Sequence, residues 1–80
     1  MESPKMRIVR IVSEPVELFK VLKFENLAAS GGEAKFFIAD GRVTVNGQIE
    51  TRKRRKLYSG DVIGFEHALL RIEDKPDPED

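Results

Sequence analysis

Five consecutive basic residues, Arg52-Lys53-Arg54-Arg55-Lys56, stand in the second half of a chain whose formal net charge is zero. We call this segment the basic run. It lies between two segments that have the composition of β-strands, and its like charges repel one another at close range. At least some of these side chains must therefore stand in solvent, either as an ordinary solvated loop or as a surface for a polyanion such as a nucleic acid.

The length of 80 residues predicts one small domain with a thin core. Hydrophobic residues make up 40 % of the chain and charged residues 35 %, which favours a folded globular protein over a disordered one. The chain has no cysteine, so disulfides and thiolate metal sites are excluded. No segment has the apolar run of a signal peptide or of a membrane span, so we expect a cytoplasmic protein without membrane association.

The net charge of zero conceals an uneven distribution along the chain. Residues 73–80 hold five acids and one base, which leaves residues 1–72 with thirteen bases and nine acids, a net charge of +4. The last segment contains two prolines and no apolar residue. We therefore predict a single domain over residues 1–72, followed by an acidic disordered tail over residues 73–80.

Local patterns predict strand, helix, helix and then several strands. A β-branched strand spans about residues 6–12, and a helix begins at Pro15 and runs to about Lys23. Ser30 and Glu33 match a capping box for a second helix over about residues 32–40, which Gly41 ends. This order predicts an α+β fold in which a two-helix hairpin packs against a small, mainly antiparallel sheet with an added N-terminal strand.

The strands after the second helix are bounded by turn signals. Asn46-Gly47 predicts a tight hairpin turn within residues 42–50. Further strands are expected over residues 62–66 and about 68–72, with a turn near His67. The five phenylalanines occupy helical or strand positions, and we assign them to the core.

Two motifs suggest a known family. Ser30 to Gly47 combines a helix that ends in glycine, a valine-rich strand and the triplet Val-Asn-Gly, and Gly60-Asp61-Val62-Ile63 follows at a suitable distance. Together they resemble the RNA-binding domain named after small-subunit ribosomal protein S-four, also called the alpha-L motif. The resemblance covers about residues 16–65. It extends to the stand-alone bacterial members of the YbcJ/YaaA type, which also carry a Gly-Gly pair and a basic run before Leu-Tyr.

The chain departs from that family at two places. Glu17-Leu18-Phe19 stands where family members have Arg-Leu-Asp, and Gly31 stands where they have a basic residue. The resemblance implies that RNA lies across the helix pair and the following hairpin. We expect the basic run to replace the contacts that the two departures remove.

The resemblance implies a non-enzymatic module for structured RNA that acts free-standing or on ribosomal subunits, with ribosomal RNA as the expected target. We expect a monomer that needs no cofactor. Physical chemistry points to the same residues, because glycines at a helix N-terminus admit a phosphate and arginine grips it bidentately. The candidate RNA-binding residues are Lys20, Lys23, Ser30, Gly31, Gly32, Lys35, Arg42, Arg52, Lys53, Arg54, Arg55 and Lys56.

Other functions remain open from the residues alone. Each lysine by itself is compatible with an ordinary solvated side chain, and the two glycines with a tight turn. The basic face could dock an acidic protein, which would make the chain an interaction adaptor, or it could bind polyanions without selectivity. An enzyme is poorly supported, since the single histidine, His67, has no catalytic or metal-binding motif near it.

Overall fold

The computed structural model describes residues 6–74, which form two helices and seven strands. In chain order the elements are β1 (Met6–Ile11), β2 (Val16–Glu17), α1 (Leu18–Phe24), α2 (Gly31–Ala39), β3 (Val43–Val45), β4 (Gln48–Ile49), β5 (Lys56–Leu57), β6 (Val62–Phe65) and β7 (Ala68–Asp74). None of the helices in this part of the chain is long and apolar enough to cross a membrane.

Five of the strands form one sheet in the order β1-β7-β6-β3-β4. Only β1 and β7 run parallel, and every other pair in this sheet is antiparallel. Alternate residues of the strands enter the core, where they meet the apolar sides of the two helices. The predicted α+β fold, with a helix hairpin against a mainly antiparallel sheet and an added N-terminal strand, is confirmed.

The first helix begins three residues later than predicted. Val16 and Glu17 are not helical, because they pair as β2 with Leu57 and Lys56 of β5. Helix α1 therefore starts at Leu18. This two-stranded pairing joins the end of the basic run to the beginning of α1.

The predicted limits of the second helix agree with the structure to within one residue. Ser30 caps α2, and its Oγ accepts a hydrogen bond of 3.2 Å from the N–H of Glu33. The carboxylate of Glu33 reaches back to the N–H of Ala29 at 2.7 Å, one residue before the donor of a standard capping box. Gly41 follows the helix with φ of 79°, the left-handed conformation that glycine adopts at the lowest cost.

The hairpin turn between β3 and β4 is attached to the segment before β6. Asn46 and Gly47 have φ values of 53° and 85°, as the predicted turn requires. The side chain of Asn46 donates to Asp61 Oδ1 at 3.1 Å and accepts from the N–H of Val62 at 3.0 Å. This contact explains physically why Val-Asn-Gly and Gly-Asp-Val occur together in the motif.

The last strand is longer than predicted. Strand β7 continues to Asp74, because Glu73 and Asp74 pair with Arg10 and Ile11 of β1. The first two residues of the predicted tail thus belong to the sheet. The rest of that tail, residues 75–80, lies outside the described residues.

A close approach between strands makes Gly64 a sensitive position. A Cβ at Gly64 would lie 2.5 Å from Thr44 Oγ1 on the neighbouring strand. We expect Gly64→Ala to lower the free energy of unfolding by about 1–3 kcal/mol, as overpacking does. Urea denaturation measures the loss, and adding Thr44→Ala should restore most of it. Gly32→Ala is the control, since its Cβ would meet nothing nearer than 3.9 Å; equal effects at both positions would refute the steric explanation.

Candidate nucleic-acid interface

The basic run is attached to the first turn of α1 by its backbone. The first N–H groups of a helix have no partner within the helix, and Glu17 provides no side-chain cap here. Instead, the N–H of Leu18 donates to Arg55 O at 2.9 Å, and the N–H of Phe19 donates to Lys53 O at 3.1 Å. The basic run therefore serves as the cap of α1 and has a defined position beside it.

Glu50 anchors two of the five basic side chains. It is only 7 % exposed, and it is the one charged residue that is buried among those described. The Glu50 carboxylate accepts two hydrogen bonds from Arg52, one from Nε at 2.9 Å and one from the backbone N–H at 3.0 Å. It accepts a third from the guanidinium of Arg55 at 2.6 Å. The hydrogen bond from the Arg52 side chain, helped by that from Arg55, lowers the pKa of Glu50 to about 2 against the opposing effect of burial.

The role of Glu50 was not predicted from the sequence. Glu50 was the last residue of the predicted hairpin, residues 42–50, and no local pattern indicated that its side chain is buried. The available signal was an acid two residues before the first of five bases, with arginines at the second and fifth positions after it. A buried carboxylate at that place determines where two guanidinium groups lie.

Three further cations surround the ring of Phe19 at the start of α1. The Nζ of Lys35 lies 4.6 Å from the ring centroid, the guanidinium carbon of Arg54 5.5 Å and the Nζ of Lys20 6.0 Å. Such distances permit cation–π attraction. We call Phe19 and these three basic residues the Phe19 cluster. It joins both helices and the basic run on one surface.

The two residues at which the chain departs from the family pattern near the start of α1 both contact cations of this cluster. Glu17, where the family has arginine, pairs with Arg54 at 3.4 Å and with Lys20 at 3.6 Å. Phe19, where the family has aspartate, carries Arg54 over its ring. The basic run thus places the guanidinium of Arg54 beside both of these residues.

An open groove of about 440 Å³ lies beside this surface and is lined by Arg52, Arg54, Arg55 and Lys56. Concave surfaces lined by charges of one sign concentrate their field and attract ions of the opposite sign. The planar guanidinium group of arginine can donate two parallel hydrogen bonds to two oxygens of one phosphate. The groove is therefore suited to an anion with several phosphates rather than to a single carboxylate.

The glycines at the start of α2 leave its N-terminus uncovered next to the Phe19 cluster. A Cβ at Gly31 would lie 3.7 Å from the ring of Phe19, and one at Gly32 would lie 3.9 Å from Ser30 Oγ, both ordinary contacts. Neither glycine has a positive φ, so the turn itself does not require them. Ser30 has a structural role here as the cap of α2.

Two predicted site residues lie apart from the Phe19 cluster. Lys23 is exposed in the last turn of α1, one turn beyond Lys20, and does not contact the ring of Phe19. Arg42 follows the opposite end of α2, where its guanidinium pairs with Asp40 at 2.9 Å. The remaining candidates lie in the basic run, in the Phe19 cluster or at the N-terminus of α2.

The assignment of all five phenylalanines to the core is wrong for two of them. Phe36 is 57 % exposed and Phe24 is 61 % exposed. Phe36 precedes Phe37, which turns inward, so helical geometry directs the ring of Phe36 towards solvent. Phe24 is the last residue of α1 and follows the residues of that helix that are buried.

The described residues contain no arrangement typical of a metal site. Within residues 6–74, no group of three or more histidine, aspartate and glutamate side chains is close enough to hold an ion. His67 is exposed in the turn between β6 and β7.

Comparison with known proteins gives consistent matches. Residues 9–73 match the family model described as S4 domain. The "Putative RNA-binding protein YbcJ" of Escherichia coli (strain K12) is 48 % identical over 57 residues, which cover 71 % of this chain and 81 % of that protein. The "Probable ribosome maturation protein RlbA" of Bacillus subtilis (strain 168) is 40 % identical over 58 residues, which cover 72 % of this chain and 82 % of that protein.

The fold has a matching solved structure as well. The solution structure of YbcJ from E. coli, described as revealing an alpha-L motif involved in RNA binding, has a TM-score of 0.62 and 34 % sequence identity to this chain. The match covers 91 % of each chain. This fold is not that of an enzyme. From the match over residues 9–73 and the identity to relatives of similar length, the chain belongs to the S4 domain family.

Proposed function

We propose that this chain is a non-enzymatic module that binds structured RNA through the basic run and the Phe19 cluster. The observation that carries this proposal is the groove lined by Arg52, Arg54, Arg55 and Lys56, in a segment whose backbone caps the N-terminus of α1. The names of YbcJ and RlbA, which refer to RNA binding and to ribosome maturation, support RNA over other polyanions.

The groove is preorganised for phosphate. Ordering a long side chain on binding costs about 0.5–1.5 kcal/mol. Glu50 reduces that cost, because it already holds the guanidinium groups of Arg52 and Arg55. The four lining cations imply up to about four phosphate contacts, and these alone contribute roughly −3 to the slope of log K against log salt.

Ribosomal RNA is the proposed target, and ribosomal subunits are the proposed partners in the cytoplasm. The support is the name of RlbA, a relative 40 % identical to this chain. A domain of this size spans few nucleotides, so it would recognise a local feature such as a helix beside a loop. We propose that it binds there as a monomer.

The test is the affinity of the protein for a ribosomal RNA hairpin across a salt series, with duplex DNA of equal length and heparin as competitors. Binding that survives an excess of both competitors supports recognition of RNA shape. Co-sedimentation with purified ribosomal subunits then tests the target.

Equal competition by RNA, DNA and heparin would refute selective RNA binding and leave a general polyanion surface. A protein partner that stays bound after nuclease treatment, with no affinity for RNA, would instead identify an adaptor for an acidic protein. Both outcomes contradict the proposal. They are distinguished by what the protein binds: any polyanion in the first case, and a protein partner but no RNA in the second.

A further inference from the structure

The outward side of α2 carries a stripe of four residues, Gly32, Lys35, Phe36 and Ala39, at helical positions i, i+3, i+4 and i+7. Two of them are small, one is basic, and Phe36 is 57 % exposed. The neighbouring Phe37 packs on Phe65 at 4.9 Å between ring centroids. Of the two adjacent residues Phe36 and Phe37, therefore, only Phe37 packs against the core, and the ring of Phe36 lies in solvent. Core packing therefore gives no reason for an aromatic residue at position 36.

The ring of Phe36 is supported from one end of the stripe. Its centroid lies 6.0 Å from that of Phe37, and the two rings are tilted by 58°. The guanidinium carbon of Arg42 lies 5.9 Å from the Phe36 ring, and Asp40 holds this guanidinium at 2.9 Å. Arg42, which lies outside the Phe19 cluster, thus lies beside both rings of the pair, 5.5 Å from Phe37 and 5.9 Å from the exposed Phe36.

The other end of the stripe leads to the Phe19 cluster. Lys35 precedes Phe36 on the same side of α2, and its Nζ lies 4.6 Å from the ring of Phe19. An exposed ring with a basic residue on either side fits a ligand that combines phosphates with flat, unpaired bases. A protein partner of apolar character fits less well, because the other stripe residues are small or charged.

We propose that Phe36 is a stacking surface for one unpaired base of the bound RNA, with Arg42 beside it. This inference rests on the proposed function and adds to it a ligand class: an RNA helix next to a single-stranded nucleotide, rather than a fully paired helix. The phosphates lie on the basic run and at Lys35, and the base lies along α2.

The experiment compares Phe36→Leu with Phe24→Leu, which changes an equally exposed phenylalanine on α1. Two probes are used: a ribosomal RNA hairpin with a five-nucleotide single-stranded extension that contains 2-aminopurine, and a fully paired RNA duplex of equal charge. Thermal unfolding confirms that both variants fold.

Loss of one base–aromatic stack should weaken binding of the extended hairpin by about fivefold to a hundredfold. Phe36→Leu should show that loss, with less quenching of 2-aminopurine and an unchanged salt slope, and it should bind the duplex as the natural protein does. Phe36→Trp should retain affinity, and Phe24→Leu should change neither probe.

Several results would overturn the inference. Unchanged binding of the extended hairpin by Phe36→Leu, or an equal loss on both probes, would exclude base stacking at Phe36 while RNA binding by the natural protein stood. A defect of Phe36→Leu only towards a protein ligand would assign the ring to a protein interface. Failure of the natural protein to prefer RNA over DNA would instead refute the proposed function.

Discussion

Replacing Lys53, Arg54 and Lys56 together with alanine should weaken binding of a ribosomal RNA hairpin by about tenfold to a thousandfold at low salt. The estimate takes roughly 0.5–1.5 kcal/mol for each of three removed contacts to phosphate. The slope of log K against log salt should become shallower by about two to three. Fluorescence anisotropy across a salt series measures both quantities.

The variant is chosen so that the fold remains intact. None of the three side chains bonds to Glu50, and the ion pair of Arg54 with Glu17 is exposed, a kind that contributes little to stability. The backbone caps that Lys53 and Arg55 give to α1 do not depend on side chains. We therefore expect a thermal midpoint close to that of the natural protein.

A matched control removes the same charge elsewhere. Arg7, Arg10 and Arg71 lie on β1 and β7, and each has an exposed ion pair with a glutamate. Replacing these three with alanine lowers the net charge equally but leaves the groove intact. If this control weakens RNA binding as much as the first variant does, net charge rather than the groove attracts the RNA, and the proposed interface is wrong.

Features that depend on neighbouring residues were predictable from the sequence. The cap at Ser30, the left-handed Gly41 and the Asn46-Gly47 turn follow from local backbone chemistry, and the structure confirms them. Alternating apolar residues indicated most of the strands. The fold class then followed from the order of the elements.

Features that depend on distant pairing were not predictable in the same way. Val16 and Glu17 were assigned to a helix because proline precedes them, but pairing with β5, some 40 residues later, decides their conformation. The extension of β7 to Asp74 depends likewise on β1. Local propensity is a weak guide when a partner strand supplies the hydrogen bonds.

For the candidate site, the sequence identified the residue types but not their roles. It identified the basic run and the lysines of the helices, because runs of charge are visible without a structure. It missed Glu50, whose importance arises from burial beneath two arginines. It also missed the orientation of Phe36, since a pair of adjacent phenylalanines does not indicate which ring faces the core.

Removing Arg52 and Arg55 together should destabilise the fold, whereas removing Lys53 and Arg54 should not. The double variant Arg52→Ala/Arg55→Ala leaves the buried carboxylate of Glu50 with only a backbone N–H as its partner. Breaking a buried ion pair from one side costs about 3–5 kcal/mol, and the remaining hydrogen bond favours the lower end of that range. Adding Glu50→Gln should restore most of the loss, because it removes the unpaired charge and keeps an acceptor for that N–H.

The dependence of this loss on pH identifies Glu50 as its source. In the natural protein the pKa of Glu50 falls from 4.5 to about 2 on folding, so its ionised form contributes stability above about pH 4.5, and this contribution is lost as the pH falls towards 2. In the double variant the arginine hydrogen bonds that lower the pKa are absent and the effect of burial, which raises it, remains. The difference in unfolding free energy between the two proteins should therefore be largest at neutral pH. It should shrink as the pH falls and Glu50 of the variant takes up a proton, which happens at a higher pH than in the natural protein.

Urea denaturation at a series of pH values between 3 and 7 measures this difference. Lys53→Ala/Arg54→Ala is the matched control, because it removes the same charge from the same segment without touching Glu50. Its difference from the natural protein should stay small throughout. A loss in the Arg52 and Arg55 variant that is independent of pH, or that Glu50→Gln fails to restore, would mean that these arginines stabilise the fold by packing. The groove would then owe its shape to the backbone caps on α1 rather than to Glu50.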